Sequence, residues 1–182
     1  MSYMDEKIER VVMSHEEIVK KCSELGKKIT EDYNGKTPVL VGLLKGCMPF
    51  MAELIKHIDC DIEIDFLEVS SYNGTSSTGL VTITKDIKTN IKNRHVIVVE
   101  DIVDTGYTLK EVMDLFKYKG ALSVEIAALL DKPSGRKTDL PTPKYVCETI
   151  SPGFVVGFGL DYDQLYRNLD YIGILKKEVY SK

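Results

Sequence analysis

What the sequence lacks narrows its classes first. No apolar run approaches the ~20 residues that a membrane-spanning helix needs, so no membrane partner is expected. Met1 to Arg10 is polar and charged, without the apolar segment of a signal peptide. Only four cysteines occur, Cys22, Cys47, Cys60 and Cys147, and none forms a C-x-x-C pair. They read as reduced thiols, mostly core fillers, in a cytoplasmic protein. The three histidines, His15, His57 and His95, are too isolated in sequence to make a zinc site. There is no basic excess: 24 Lys and Arg stand against 28 Asp and Glu, a formal net charge of −4. That weighs against nucleic acid and anionic membranes as partners. With 43% hydrophobic and 29% charged residues, disordered and fibrous classes are excluded. A length of 182 residues suits one domain, and no repeat, low-complexity tract or linker divides it.

What is present has the rhythm of an α/β protein. Ser14-His15-Glu16-Glu17 is a capping-box pattern, and Ile18, Cys22, Leu25, Ile29 and Tyr33 follow at helical spacing until Asn34-Gly35. Val39 to Leu44 is wholly apolar, as a strand buried on both faces requires. A second helix is expected to bury Phe50, Met51, Leu54, Ile55 and Ile58. Cys60 to Phe66 alternates and predicts a half-exposed strand, and Leu80 to Thr84 another. Ser70 to Gly79 between them is small and polar and reads as a mobile loop. Val96 to Val99 is a further buried strand. Behind it comes a helix with Leu109, Val112, Met113 and Phe116 on one face, then a strand over Val124 to Leu130. Asp131 to Lys144 is a loop with three prolines. Val146 to Ile150, Phe154 to Leu160 and Tyr171 to Leu175 read as closing strands. The β-α-β order with buried strands predicts an α/β fold whose central sheet is mostly parallel and flanked by helices.

The chemistry concentrates after the strand at Val96. Three carboxylates, Glu100, Asp101 and Asp104, precede Thr105-Gly106-Tyr107-Thr108 and a helix start. Ligands of open α/β sheets bind beyond the carboxyl ends of strands. Gly106 permits a tight turn that aims successive N–H groups into one concavity, Thr105 and Thr108 add hydroxyls, and a helix N-terminus favours an anion. The arrangement suits a monophosphate. Glu100 and Asp101 would repel that group, so they suit vicinal sugar hydroxyls or a metal ion on them. A sugar phosphate satisfies both halves. The plainer alternative is that the acids merely cap a surface helix, with Asp104 as its N-cap.

Val98-Val99-Glu100-Asp101-Ile102-Val103-Asp104-Thr105-Gly106 resembles the phosphoribosyl-pyrophosphate signature of the type I phosphoribosyltransferases. Leu44-Lys45-Gly46, Ser71-Tyr72, Asp131-Lys132-Pro133, Phe154 to Tyr162 and Tyr166-Arg167 are similar, in the same order, to motifs of the hypoxanthine-guanine branch of that family. The resemblance runs from about Val11 to Leu175. It implies one twisted-sheet domain over 1–182, with a core at about 37–150 and a small hood built from the N-terminal and C-terminal segments, 1–12 and 151–182. It also implies transfer of a 5-phosphoribosyl group from phosphoribosyl pyrophosphate to hypoxanthine or guanine, giving IMP or GMP and pyrophosphate. Mg²⁺ is the implied cofactor, and a homodimer or homotetramer the implied assembly.

The resemblance assigns roles residue by residue. Asp104 to Thr108, including Tyr107, would hold the 5′-phosphate, and Asp104 would also be the general base near purine N7. Glu100 and Asp101 would hold the ribose hydroxyls and magnesium. Lys45-Gly46, where the family often has a cis peptide, and Arg167 would bind pyrophosphate. Asp161, beside the base, would take a second magnesium. Lys132 would donate to O6 of the base, Phe154 would stack on its face, and the Val155 backbone would read its edge. Ser71 and Tyr72 would lie on a flap that excludes water from an oxocarbenium-like transition state. Without the resemblance, Arg167 and Asp161 would pass for a surface ion pair and Lys132 for a solvated side chain. Rival readings are a transferase for xanthine, adenine or a pyrimidine, and a non-catalytic regulator sensing phosphoribosyl pyrophosphate. The latter should carry a clustered basic face, whereas Lys20-Lys21, Lys27-Lys28 and Lys176-Lys177 are dispersed. A receiver-like signalling domain would share the aspartates at strand ends but not the threonine-glycine cradle.

Overall fold

The computed structural model describes residues 5–71, 81–151 and 153–181. Strand β1 (Ile8–Met13) leads into helix α1 (His15–Tyr33), β2 (Val39–Leu44), α2 (Met48–Leu54), β3 (Glu63–Ser71) and β4 (Val81–Lys85). Then follow β5 (His95–Val103), α3 (Tyr107–Tyr118), β6 (Ser123–Asp131), β7 (Tyr145–Thr149), β8 (Val155–Val156), β9 (Ile172–Leu175) and the one-turn helix α4 (Lys177–Tyr180). Helix α1 begins where its motif predicts. The Glu17 N–H donates to Ser14 Oγ at 3.3 Å, and the Ser14 N–H donates to the Glu17 carboxylate at 2.8 Å, so both halves of the capping box form. Ile18, Cys22, Leu25, Ile29 and Tyr33 are buried, and Gly35 turns the chain away at φ +72°.

Six strands form the central sheet in the order β4-β3-β2-β5-β6-β7. Four of its five pairings are parallel, and β3-β4 is antiparallel. Alternate residues of the middle strands feed two cores. Leu40, Ile97, Val99 and Leu129 pack with the buried faces of α1 and α2. Val39, Val41, Val96, Val98 and Ala128 pack with Leu109, Val112, Met113 and Phe116 of α3. Both faces are covered, which is why these strands are unbroken apolar runs rather than alternating ones. Each fully buried side chain of this kind contributes about 1.5–3 kcal/mol.

Strand order reverses between β2 and β5, with β3 on one side and β6 on the other. The segments leaving these two strands run to helices on opposite faces, and a crevice opens at their carboxyl ends. A second, antiparallel sheet of order β1-β9-β8 joins the two ends of the chain.

The structure moves several expected boundaries. The strand expected at Cys60 to Phe66 starts at Glu63 and runs on to Ser71, because its register is set by parallel pairing with β2, from Val39↔Glu63 to Leu44↔Glu68. Ile64, on the apolar side of that alternation, is 46% exposed. The strand expected from Phe154 to Leu160 shrinks to β8, because Gly157, Phe158 and Gly159 all take positive φ. Ile55 and Ile58 lie beyond the end of α2, around a 3-10 turn, and are only partly buried. Strand β5 does not stop before the acids. Its ladder continues through Glu100↔Ala128 and Ile102↔Leu130, so Glu100 and Asp101 are strand residues and Asp104 alone of the three follows it.

Candidate active site

Two adjoining cavities occupy the crevice. The larger, about 310 Å³, is lined by Lys45 and Gly46 after β2, by Glu100, Asp101 and Asp104, by Thr105, Gly106 and Thr108, and by Asp161 and Arg167. The second, about 210 Å³, is lined by Lys132, Gly153, Phe154, Val155 and Leu160. Asp101, Ile102, Asp104 and Asp161 line both.

The turn from β5 into α3 is built for tightness. Gly106 takes φ +86° and caps the helix in a left-handed conformation, which a side chain would disfavour. The first N–H groups of α3 have no carbonyl partner within the helix and face the crevice end of the sheet. The loop after β6 fastens this turn from below. Lys137 N–H donates to the Thr105 carbonyl at 2.9 Å, and Arg136 Nη1 donates to the Asp104 carbonyl at 2.7 Å. The same guanidinium pairs with buried Asp131 at the end of β6. Gly135 lies so close that a Cβ there would stand 1.6 Å from Asp104 Oδ1. Sequence reasoning missed Gly135 and Arg136. The prolines around them mark a loop, and nothing local marks its contact with Asp104.

Glu100 and Asp101 are crowded together. Burial holds the Glu100 carboxyl well above the usual carboxylate range, and the neighbouring Asp101 charge adds to it. Burial likewise raises Asp101. Each carboxylate folds back on the backbone, with Asp101 N–H donating to Glu100 Oε1 at 3.0 Å and Ile102 N–H donating to Asp101 Oδ1 at 2.7 Å. Gly46 packs against this pair, and a Cβ on it would lie 1.8 Å from Asp101 Oδ2. The peptide bond before Lys45, Leu44-Lys45, is cis, one residue earlier than the Lys45-Gly46 bond that the resemblance pointed to. Burial, with Glu100 and Asp101 nearby, pushes the Cys47 thiol up to about 12, so it stays protonated and unreactive.

Across the crevice, Arg167 Nη1 lies 3.2 Å from Asp161 Oδ1 and donates to the Gly159 carbonyl at 2.7 Å. Gln164 N–H donates to Asp161 Oδ2 at 2.8 Å. The two are therefore an ion pair, and one that lines the cavity. On the other flank, Lys132 Nζ lies 3.6 Å from Asp104 Oδ2. Its side chain is 21% exposed, so it is not simply solvated. Phe154 is 37% exposed and faces the smaller cavity rather than the core.

Most of the residues singled out in sequence thus converge. Tyr107 is an exception: it begins α3, is 47% exposed and lines neither cavity. Ser71 ends β3, but its side chain and all of Tyr72 lie outside the described residues. Among the described residues no three His, Cys, Asp or Glu side chains converge into a metal cage. Paired oxygen donors beside an open cavity still fit magnesium, which is held by one or two carboxylates plus substrate oxygens rather than by an all-protein cage.

Comparison with known proteins bears on the whole site. A family model described as phosphoribosyl transferase domain matches residues 12–163. A hypoxanthine-guanine phosphoribosyltransferase of Streptococcus mutans is 58% identical over 180 residues, covering 98% of this chain and 99% of the relative. One from Streptococcus pneumoniae is 55% identical over 179 residues, covering 98% and 99%. The crystal structure of a hypoxanthine phosphoribosyltransferase from Staphylococcus aureus superposes with a TM-score of 0.96 at 50% identity, covering 100% of this chain and 98% of the other.

Proposed function

The chain belongs to the phosphoribosyl transferase family, and from that membership we propose that it is a purine salvage enzyme. It transfers the 5-phosphoribosyl group of phosphoribosyl pyrophosphate to hypoxanthine or guanine, giving IMP or GMP and pyrophosphate. One observation carries the base assignment: Lys132 and Asp104 stand 3.6 Å apart on the wall of the smaller cavity. A 6-oxopurine presents O6 and N7 side by side on one edge. An ammonium that only donates and a carboxylate that only accepts match O6 and an N7–H. Adenine offers an amino donor in place of O6, which Lys132 cannot accept.

The larger cavity takes the sugar phosphate in this reading. The Asp104 to Thr108 turn holds the 5′-phosphate through backbone N–H groups and the Thr105 and Thr108 hydroxyls. Glu100 and Asp101 accept from the ribose hydroxyls. Lys45, the Gly46 backbone and Arg167 hold the pyrophosphate. Purine N9 attacks C1′, the bond from C1′ to the pyrophosphate oxygen breaks, and the pyrophosphate leaves. Asp104 takes the proton from N7 as N9 bonds to C1′, which makes N9 the better nucleophile. Phe154 and the Val155 backbone keep the ring plane aligned with C1′. Glu100 and Asp101 would hold one magnesium ion and Asp161 a second, and the ions would supply positive charge that offsets the polyphosphate. Ser71 and Tyr72 are assigned to the flap that excludes water.

We take residues 1–182 as one domain with its core at about 37–150 and a hood from 1–12 and 151–182, a division supported by the separate β1-β9-β8 sheet. Four free thiols support a cytoplasmic location, and no described helix is long and apolar enough to cross a membrane. Assembly as a homodimer or homotetramer is carried over from the family resemblance, and in the segment Val39 to Phe50 Met48 is the large apolar residue that stays 60% exposed. The other large apolar residues of its segment, Val39 to Leu43 and Phe50, are in the core. The test is a steady-state assay with phosphoribosyl pyrophosphate, Mg²⁺ and each of hypoxanthine, guanine, xanthine and adenine. Hypoxanthine and guanine should be turned over best. Faster turnover of adenine would overturn the reading of Lys132.

A further inference from the structure

Phe154 does not stand alone. Its ring is stacked on Tyr180 with centroids 5.0 Å apart and planes at 23°. Tyr162 meets it edge-on at 5.5 Å and 88°, and lies 6.5 Å from Tyr180. Of the three rings only Phe154 lines the smaller cavity. We propose that Tyr180, in the final turn of the chain, is a positioning residue for purine recognition: it backs Phe154 on the face away from the cavity and fixes the plane on which the base stacks.

The argument starts from the freedom of an exposed phenylalanine. Its χ2 torsion has a broad minimum, so a half-exposed ring samples a range of planes, and a ligand that stacks on it must first pay the entropy of fixing one. Two neighbouring rings remove that freedom here. Tyr180 covers one face and Tyr162 abuts the edge, which leaves one face open to a planar ligand. Phe154 and the turn carrying Tyr180 are both fastened at the small sheet. Leu175 N–H donates to the Phe154 carbonyl at 2.9 Å, and Lys176 N–H donates to the Lys7 carbonyl at 3.0 Å. Lys176 Nζ also donates to the Glu6 carbonyl at 2.6 Å. Phe154 is thus tied to the end of β9, and the turn carrying Tyr180 starts from the next bonds. The N-terminal arm, the C-terminal turn and the stacking ring form one frame. Tyr180 lines neither cavity and reaches the site through Phe154, so its effect falls on the base and not on the sugar.

This inference rests on the base-binding role proposed for Phe154. It is tested on the full-length protein with Tyr180→Ala and Tyr180→Phe. Michaelis constants are measured for hypoxanthine and for phosphoribosyl pyrophosphate, and calorimetric affinities for IMP and for ribose 5-phosphate. Ring–ring contacts of this kind imply that Tyr180→Ala raises KM for hypoxanthine and Kd for IMP about three- to ten-fold, with KM for phosphoribosyl pyrophosphate and Kd for ribose 5-phosphate within about twofold of wild type. Tyr180→Phe, which keeps the ring, restores the wild-type constants. An unchanged hypoxanthine KM in Tyr180→Ala overturns the inference, and so does equal weakening of IMP and ribose 5-phosphate. If the alanine variant does not fold, Tyr180→Leu fills the space without a ring, and the same two outcomes decide. A wild-type protein that neither turns over a purine nor binds IMP would instead sink the proposed function, and the role of Tyr180 with it.

Discussion

Asp104 and Lys132 leave neighbouring strands of the sheet and meet with their charged ends 3.6 Å apart. Lys132 N–H donates to the Val103 carbonyl at 2.9 Å, so the two main chains are pinned beside each other before their side chains meet. An ion pair this open to solvent contributes at most about 1 kcal/mol to stability. Its value lies in placing a donor and an acceptor side by side on one cavity wall.

Removing the charge of Asp104 while keeping its shape separates its two proposed duties. In Asp104→Asn the backbone of the phosphate turn is unchanged, but the side chain can no longer take a proton. We expect kcat to fall about 10²- to 10⁴-fold, with KM for phosphoribosyl pyrophosphate changing far less. Steady-state kinetics with both substrates varied would check this. A near-wild-type kcat would remove Asp104 as the base.

Lys132→Ala should act on the other substrate. The loss of a charge-assisted hydrogen bond to O6 is expected to raise KM for hypoxanthine about tenfold. KM for phosphoribosyl pyrophosphate should stay near its wild-type value. Discrimination against adenine should also shrink, because the group that rejects an amino donor is gone. Equal effects on both substrates would assign Lys132 to the framework of the site instead.

Gly46 tests the crowding around the acids. An alanine Cβ would sit 1.8 Å from Asp101 Oδ2, and Asp101 cannot swing freely, because its other oxygen accepts from Ile102 N–H at 2.7 Å. The loop after β2 must therefore retreat. Gly46→Ala should raise KM for phosphoribosyl pyrophosphate by at least about tenfold, as a displaced positioning group does. The melting temperature should fall as well, because Gly46 is buried and overpacking of this kind costs about 1–3 kcal/mol. A variant with unaltered kinetics would show that the loop yields without cost.

These tests bear on residues the sequence displayed to unequal degrees. Strands β2 and β5 and helix α3 were legible because burial on both sheet faces leaves an uninterrupted apolar run and a one-sided helix stripe. Asp104 and the Thr105-Gly106 turn were legible because they follow such a strand, and Glu100 and Asp101 because they interrupt its apolar run. Where pairing across the chain decides the outcome, local pattern misled. The alternation at Cys60 to Phe66 suggested a strand that pairing with β2 shifts to Glu63–Ser71. The apolar letters of Phe154 to Leu160 concealed three consecutive positive-φ residues. Gly135, Arg136 and Tyr180 reach the site through partners distant in sequence, Asp104 for the first two and Phe154 for the third, which no spacing rule reaches.

Asp65 belongs with these hidden residues, and its chemistry can be followed by pH. It lies on β3 and receives three backbone N–H groups: Phe66 at 2.7 Å, Lys88 at 2.7 Å and Thr89 at 2.8 Å. They fasten the segment leaving β4 to the sheet. Burial alone would raise its carboxyl, but the N–H donors of Thr89, Phe66 and Lys88 outweigh burial and hold it at about 2, below the usual 3.8. Because the folded value is depressed, the unfolded chain takes up the proton first as pH falls. The stabilisation is complete above the usual value of 3.8 and is lost as pH drops toward about 2. The size of the shift corresponds to about 2 kcal/mol. Asp65→Asn should therefore cost about 1–2 kcal/mol near neutral pH, and the gap from wild type should close in strong acid. Urea unfolding across that range reads the difference directly. A gap that stayed constant with pH would mean that Asp65 acts through shape rather than through charge.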